Sequence, residues 1–266
     1  MKRKMIAATG NAQKMVEIRQ ILAGFDMELV TMAEAGLDLD IVENGSTFVE
    51  NALIKARAVA QASGEMAIAD DSGLVVDAMD GAPGIHSARW MGHDTSYEIK
   101  NREIIRLVDA FCAAKEARAQ SEGAKACPEE TRARQEGFSA LQQGWKDRDG
   151  ICASQEPRAK GTGEEIQRIH PGCLPDGTPG PLRSARFVCA VAVAWPDGRQ
   201  LTAEGTLEGR IHTKACGENG FGYDPIFYLP EYGMTSGQIP REEKNRISHR
   251  GKAFRKMQEL LREMIP

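Results

Sequence analysis

The start of the chain changes character twice, in an order that few architectures accommodate. KRKMIAAT is an apolar run with a basic lead, AQKMVEIRQILAGF carries Met15, Ile18 and Leu22 at helical spacing, and MELVTM is again extended in pattern. A strand, a tight turn, a helix and a second strand in immediate succession predict a layered α/β fold, because the helix has to cover one face of a sheet. The next segment, ENGSTFVENALIKARAVAQASG, predicts another helix, with Thr47 and Glu50 spaced as a capping box and Gly64 as its stop. EMAIADD then reads as a short buried strand and GLVVDAM as another, separated by Ser72 and Gly73. TSYEIKNREIIRLVDAFCAAKEARAQ is helical in pattern, its stripe drawn from Ile99, the Arg102 stem, Ile105, Leu107 and Val108. RFVCAVAVAWPDG and RQLTAEGTLEGRI form a hairpin pattern around Pro-Asp-Gly. HRGKAFRKMQELLREM closes the series as an amphipathic helix on Phe254, Met257, Leu261 and Met264.

The periodicity lapses between about 117 and 182. This stretch is polar, rich in Gly and Pro, and has only Phe138 and Trp145 as aromatics. It cannot bury enough apolar area to offset its ordering entropy. The expectation is one domain over 1–266 carrying a low-complexity insertion at 117–182, looped outward and partly disordered, with short helices around Phe138 to Trp145. The remaining length suffices for a substantial core within 266 residues.

Several function classes are excluded at this level. No apolar run approaches the roughly 20 residues of a membrane span, and the basic N-terminus lacks the apolar core of a signal peptide, so a cytosolic protein is expected. A net charge of −4 argues against generic nucleic-acid binding and requires any phosphate site to be a local basic cluster. The six cysteines show no CxxC spacing, which indicates neither a disulfide framework nor a zinc site; His170 and Cys173 in HPGC lack a second pair of ligands.

Four stretches can carry chemistry. In TGNAQK (Thr9, Gly10, Asn11, Ala12, Gln13, Lys14), backbone N–H groups converge between strand and helix, as phosphate binding requires. The pattern is not a Walker A loop, and an ordinary turn with Asn11 as N-cap accounts for it equally. In STFVENALIKARAVA, Lys55 shares a helix face with Asn51 and Phe48, at the edge of the core stripe of Phe48, Ala52, Ala56 and Val59. Its ammonium either snorkels to solvent or addresses a phosphate. In ADDSG, strand alternation sends Asp70 and Asp71 to opposite faces, so one enters a site while the other supports it. A carboxylate there can bind a hard cation such as Mg²⁺ or take a proton from an attacking water. Finally, NGFGYDPIF offers Phe221 or Tyr223 for stacking a base, and His249 with Arg250 opens a helix where acidic residues are the stabilising choice. Such a conflict with a local rule marks a functional site or a solvated basic run.

Taken together and in order, TGNAQK, STFVENALIKARA, ADDSGLVVDAMDGAPGIHSARW, GFGYDPIF and EEKNRISHRGKAF closely resemble the inosine triphosphate pyrophosphatase (Ham1-like) family. The resemblance spans about 3–115 and 184–264. It implies an elongated mixed β-sheet flanked by helices, in two lobes with a central nucleotide cleft. It implies hydrolysis of non-standard purine nucleoside triphosphates (ITP, dITP, XTP) to the monophosphate and pyrophosphate, with Mg²⁺, as a homodimer. Carried over by position, Thr9 to Lys14 hold phosphates with Lys55 assisting, and Glu43 and Asp71 organise Mg²⁺. Asp71 is also the proton acceptor with Asp70 in support. Ser72, Phe221, Gly222, Tyr223, Asp224, Lys244, His249 and Arg250 surround the nucleotide. Two departures stand out: the insertion, and Met234 where the family often carries a lysine. The competing readings are a pyrophosphatase for a modified pyrimidine or dUTP, a nucleotide-binding regulator without turnover, and a protein–protein module built on the insertion.

Overall fold

In this computed structural model the structure describes residues 3–23, 27–124 and 170–264. Seven strands form one mixed sheet in the order β2-β1-β3-β4-β5-β6-β7. β1 (Arg3–Ala7) runs parallel to both β2 (Met27–Thr31) and β3 (Met66–Val76), with α1 (Ala12–Ile21) and α2 (Phe48–Ser63) as the crossovers. β4 (Ser184–Ala194), β5 (Gln200–Ile211), β6 (Phe227–Leu229) and β7 (Met234–Thr235) continue antiparallel. α3 (Tyr97–Ala124) leaves β3, and α4 (Arg241–Ile247) and α5 (His249–Met264) end the described chain. Among the described residues, no helix is long and apolar enough to cross a membrane.

The period of two along β3 organises the interior. Met66 and Ile68 join Met15, Ile18, Phe254, Met257 and Leu261 under α1 and α5. Ala67 and Ala69 face Ala52, Ala56, Val59 and Ala60 of α2, where small side chains on both surfaces let helix and sheet approach closely. Farther along, Leu74 and Val76 pack with Ile104, Val108, Phe187, Ile226 and Phe227 in a third cluster beneath α3. The two lobes are thus the ends of one sheet, and Asp70 to Gly73 lie at the transition between them.

Several expectations are corrected. Ser72 and Gly73 do not interrupt the strand: β3 pairs residue by residue with β4 from Ala67↔Ala194 to Val76↔Ala185. Gly73 serves close approach, since a Cβ there would lie 2.3 Å from the Gly84 carbonyl oxygen and 2.5 Å from Ser87 Oγ. The α2 cap is half a capping box: Thr47 Oγ1 accepts from the Glu50 N–H at 3.1 Å, but the Glu50 carboxylate accepts from Ser46. Gly64 ends α2 at φ 69°, as expected. In α3, Ile99 and Arg102 are exposed, while Lys100, Asn101, Ile104, Val108 and Cys112 are buried. Met264 is exposed, and Phe254, Met257 and Leu261 are core.

Both ends of the expected insertion are ordered. α3 continues to Ala124, and the chain from 170 to 183 packs against it. The Gly172 N–H donates to Glu116 at 2.7 Å, and Arg183, fully buried, donates to Asp109 at 2.7 Å and to the carbonyls of Pro171 and Ile211. Residues 125–169, with the helices expected near Phe138 and Trp145, lie outside the described residues.

Candidate active site

At the lobe transition lies a cleft of about 240 Å³, lined from one end by Asn11, Lys14, Glu43, Lys55, Asp71 and Ser72. From the other end it is lined by Phe221 to Asp224, Lys244, His249 and Arg250. Asn11 caps α1, its Oδ1 accepting from the N–H groups of Gln13 at 2.9 Å and Lys14 at 3.1 Å, and Thr9 Oγ1 accepts from the Asn11 N–H. Thr9, Gly10, Ala12 and Gln13 shape the turn, and Asn11 and Lys14 are the members that reach the cleft. The turn is thus the N-cap that the sequence offered, and Lys14, in the first turn of α1, lies on the cleft wall.

The two aspartates diverge as alternation requires. Asp70, its side chain fully buried, takes Lys14 Nζ at 3.0 Å and Arg250 Nη2 at 3.4 Å on Oδ2, where Ser72 Oγ also donates at 2.9 Å. Burial favours its protonated form, but Lys14 and Arg250 outweigh that and hold the carboxyl well below the usual carboxylate range. Arg250 is also paired with buried Glu17. Asp71, on the α2 side, accepts from Asn51 Nδ2 at 3.1 Å and lies 3.6 Å from Lys55 Nζ. Here burial wins over Lys55 and Asn51, with nearby Glu43 adding to it, and the carboxyl is raised above its ordinary value.

Lys55 does not snorkel. Its ammonium is held inward, 2.9 Å from Glu43 Oε2 and 3.6 Å from Asp71 Oδ1. Burial works against its charge, but Asp71, Asp70 and Glu43 raise its affinity for the proton. Glu43 and Asp71 thus converge on one cation. Among the described residues no group of three or more His, Cys, Asp or Glu is arranged to hold a metal ion.

On the opposite wall, Asp224 organises the loop. Its Oδ2 accepts from the Phe221 N–H at 2.8 Å and from Lys244 Nζ at 2.5 Å, and Oδ1 accepts from Ser236 Oγ at 2.8 Å. Gly220, at φ 89°, has no room for a Cβ, which would lie 2.2 Å from Asp224 Oδ2. Phe221 is partly exposed, with Lys244 Nζ and Arg250 Cζ each 5.7 Å from its ring centroid. Tyr223, by contrast, is buried, its hydroxyl donating to the Ser87 carbonyl at 2.8 Å. Of the two aromatic candidates, Phe221 retains an accessible ring. His249 is buried against Phe187, ring centroids 4.8 Å apart, with Nδ1 lacking a partner. Burial, then Arg250 and Lys244, depress its basicity well below normal, so the imidazole is neutral. The conflict at the start of α5 resolves locally: His249 is uncharged, and Arg250 is matched by Asp70 and Glu17.

Residues not anticipated from sequence complete the frame. Asn51 Oδ1 accepts from the Gly45 N–H at 2.9 Å while its Nδ2 holds Asp71, tying the loop that carries Glu43 to β3. Its signal was a polar side chain inside an apolar helix stripe. Glu17, buried in α1, was visible only as an acid on the core side of that helix.

A profile of the Ham1 family matches residues 5–140 and 158–260. A dITP/XTP pyrophosphatase of Listeria monocytogenes is 35% identical over 264 residues, covering 98% of this chain and 96% of that protein. One of Desulforamulus reducens is 33% identical over 261 residues, with the same coverage of each. The structure of a HAM1 protein from Coxiella burnetii superposes with a TM-score of 0.66 at 28% identity, covering 98% of this chain and 99% of that one. The Staphylococcus aureus Ham1 protein gives 0.66 at 29%, covering 98% and 100%. By motif order, by fold and by this near-complete coverage, the chain belongs to the Ham1 family.

Proposed function

We propose that this chain hydrolyses ITP, dITP and XTP at the α–β phosphate linkage, releasing the nucleoside monophosphate and pyrophosphate. The observation that carries the reading is the division of labour along β3. Asp70 is a fixed anion that pins Lys14 and Arg250, and Asp71, the next residue along the strand, is a carboxyl raised by burial beside Glu43 and Lys55. A site that only gripped a polyanion would need the cations without this pair of acids. The dITP/XTP activity named for the relatives from Listeria and Desulforamulus supports the same reading.

The donor set fits Mg²⁺. Glu43 and Asp71, which converge on the Lys55 ammonium, would hold the hard cation through carboxylate oxygens. When bound, the ion supplies charge neutralisation at the phosphate chain and polarises the scissile linkage. The chain's own residues do the remaining work. Lys14 and Lys55 meet the phosphates, with the Asn11-capped turn setting the entry of the chain. Asp71, with a raised proton affinity, orients the attacking water and accepts its proton, and Asn51 fixes the carboxylate plane. Phe221 stacks on the purine, with His249 and Arg250 toward the base edge and Ser72, Tyr223, Asp224 and Lys244 framing the nucleotide. A 6-oxo purine satisfies donors on that wall, and adenine, with an amino group there, leaves them unpaired. This contact separates ITP and XTP from ATP but not from GTP, which shares the 6-oxo group. The reading extends to a cytosolic homodimer.

The test is a substrate panel on the purified protein. ITP and XTP should release pyrophosphate far faster than ATP or GTP, and only with a divalent cation; equal rates on all four would sink the assignment. Asp71→Asn should abolish turnover with the circular dichroism spectrum retained.

A further inference from the structure

The start of α3 forms part of the cleft's frame and has no role in the chemistry above. Lys100 and Asn101 are 1% and 5% exposed, although both are strongly polar. Lys100 Nζ donates to the Ala88 carbonyl at 2.8 Å and lies 5.0 Å from the Tyr97 ring centroid. Asn101 Nδ2 donates to the Gly222 carbonyl at 3.1 Å. Tyr223 spans the same gap, its hydroxyl on Ser87 and its ring edge-on to Tyr97 at 5.2 Å. One end of a helix thus fastens two walls, residues 87–88 and residues 222–223.

Asn101 is the informative member. Its Oδ1 is buried without a partner, a penalty that an apolar side chain of similar volume would not carry. Helix propensity does not favour it either, since Asn is a poorer helix former than Leu. What the amide provides is the bond to Gly222, the residue of the Phe221–Asp224 loop with positive φ, at 69°. Glycine leaves that peptide free to rotate unless something holds it. On the other side of Phe221, its own N–H is already fixed by Asp224. The Phe221 carbonyl also accepts from the Asp224 N–H at 3.4 Å, and the Asn101 bond fixes the next peptide, at the glycine hinge.

The geometry points to Asn101 as a positioning residue that sets the tilt of Phe221 by holding the Gly222 carbonyl, and so tunes affinity for the purine base. It acts through Phe221 without touching the substrate, and the inference rests on the stacking role proposed for that ring.

Asn101→Leu separates this from a purely structural role. It removes both the bond and the orphaned acceptor, so the melting temperature should stay level or rise. KM for ITP should rise about tenfold with kcat within about twofold, because stacking contributes equally before and during the chemical step. Inhibition by inorganic tripolyphosphate, which has no base, should not change. Asn101→Met, also without a donor, should show the same KM loss. Calorimetric binding of inosine monophosphate gives a readout free of turnover, and both variants should bind it about tenfold more weakly. A wild-type protein that binds the monophosphate but hydrolyses no ITP overturns the catalytic proposal and leaves the Asn101 assignment standing. Variants with wild-type KM and monophosphate affinity, or with tripolyphosphate weakened in parallel, overturn the Asn101 assignment.

Discussion

Asp70 and Asp71 show how one backbone period produces two chemically different acids from identical residues. Asp70 faces α1 and α5, where Lys14 and Arg250 compensate its charge, and Asp71 faces α2, where one lysine is divided between two carboxylates. Removing each charge should therefore have opposite consequences. Asp70→Asn leaves Lys14, Arg250 and Glu17 in an unbalanced buried cluster, and the loss should be about 3–5 kcal/mol by the usual cost of breaking a buried pair. Asp71→Asn relieves a carboxyl that burial already disfavours, so stability should hold or increase while turnover disappears. Paired urea titrations of the two variants check this; equal destabilisation would contradict the asymmetry. The division of faces was legible from the sequence because alternation is a property of any strand. The partners were not, because Glu17 and Arg250 stand 233 residues apart in the chain.

At the scale of elements, the strand–helix order of the first half, the β4–β5 hairpin and the caps at Thr47 and Gly64 were readable because each is encoded within a few neighbouring residues. The failures have a common physical origin in long-range packing. Ser72 and Gly73 look like a turn, yet the glycine is required by the Gly84 carbonyl lying against β3. The α3 stripe was misdrawn because a count of apolar residues cannot register Lys100 and Asn101 as buried. Gly73 and Gly64 are needed for different physical reasons. Gly73→Ala forces a Cβ into backbone at 2.3 Å, and should cost about 1–3 kcal/mol and shift the 84–89 wall, lowering both stability and turnover. Gly64→Ala has open space around it but a left-handed φ of 69°, so about 1–2 kcal/mol of stability should go with turnover per folded molecule intact. Melting curves alongside initial rates decide the matter; a Gly73→Ala protein with unchanged rates would mean that the wall does not depend on close approach at β3.

Across the whole molecule, an acidic chain concentrates Lys14, Lys55, Lys244 and Arg250 around the cleft at the junction of the lobes, each beside a buried or half-buried acid. That arrangement couples global stability to pH in two separate windows. His249 is held neutral by burial and by Arg250 and Lys244, so its folded-state pKa lies below the ordinary 6.5. The unfolded chain then binds a proton that the folded chain refuses, and stability falls as pH drops below about 6.5 until the folded imidazole also titrates. Asp70 is depressed from its ordinary 3.8, so its contribution is fully present above that value and is lost only as pH falls further toward the folded pKa. Unfolding free energy measured against pH should therefore decline in a first step starting near 6.5 and a second starting near 4. His249→Asn should shrink the first step to the smaller part carried by half-buried His212, whose basicity burial also lowers, and leave the second. An undiminished first step in that variant would remove the neutral imidazole from the account of the cleft.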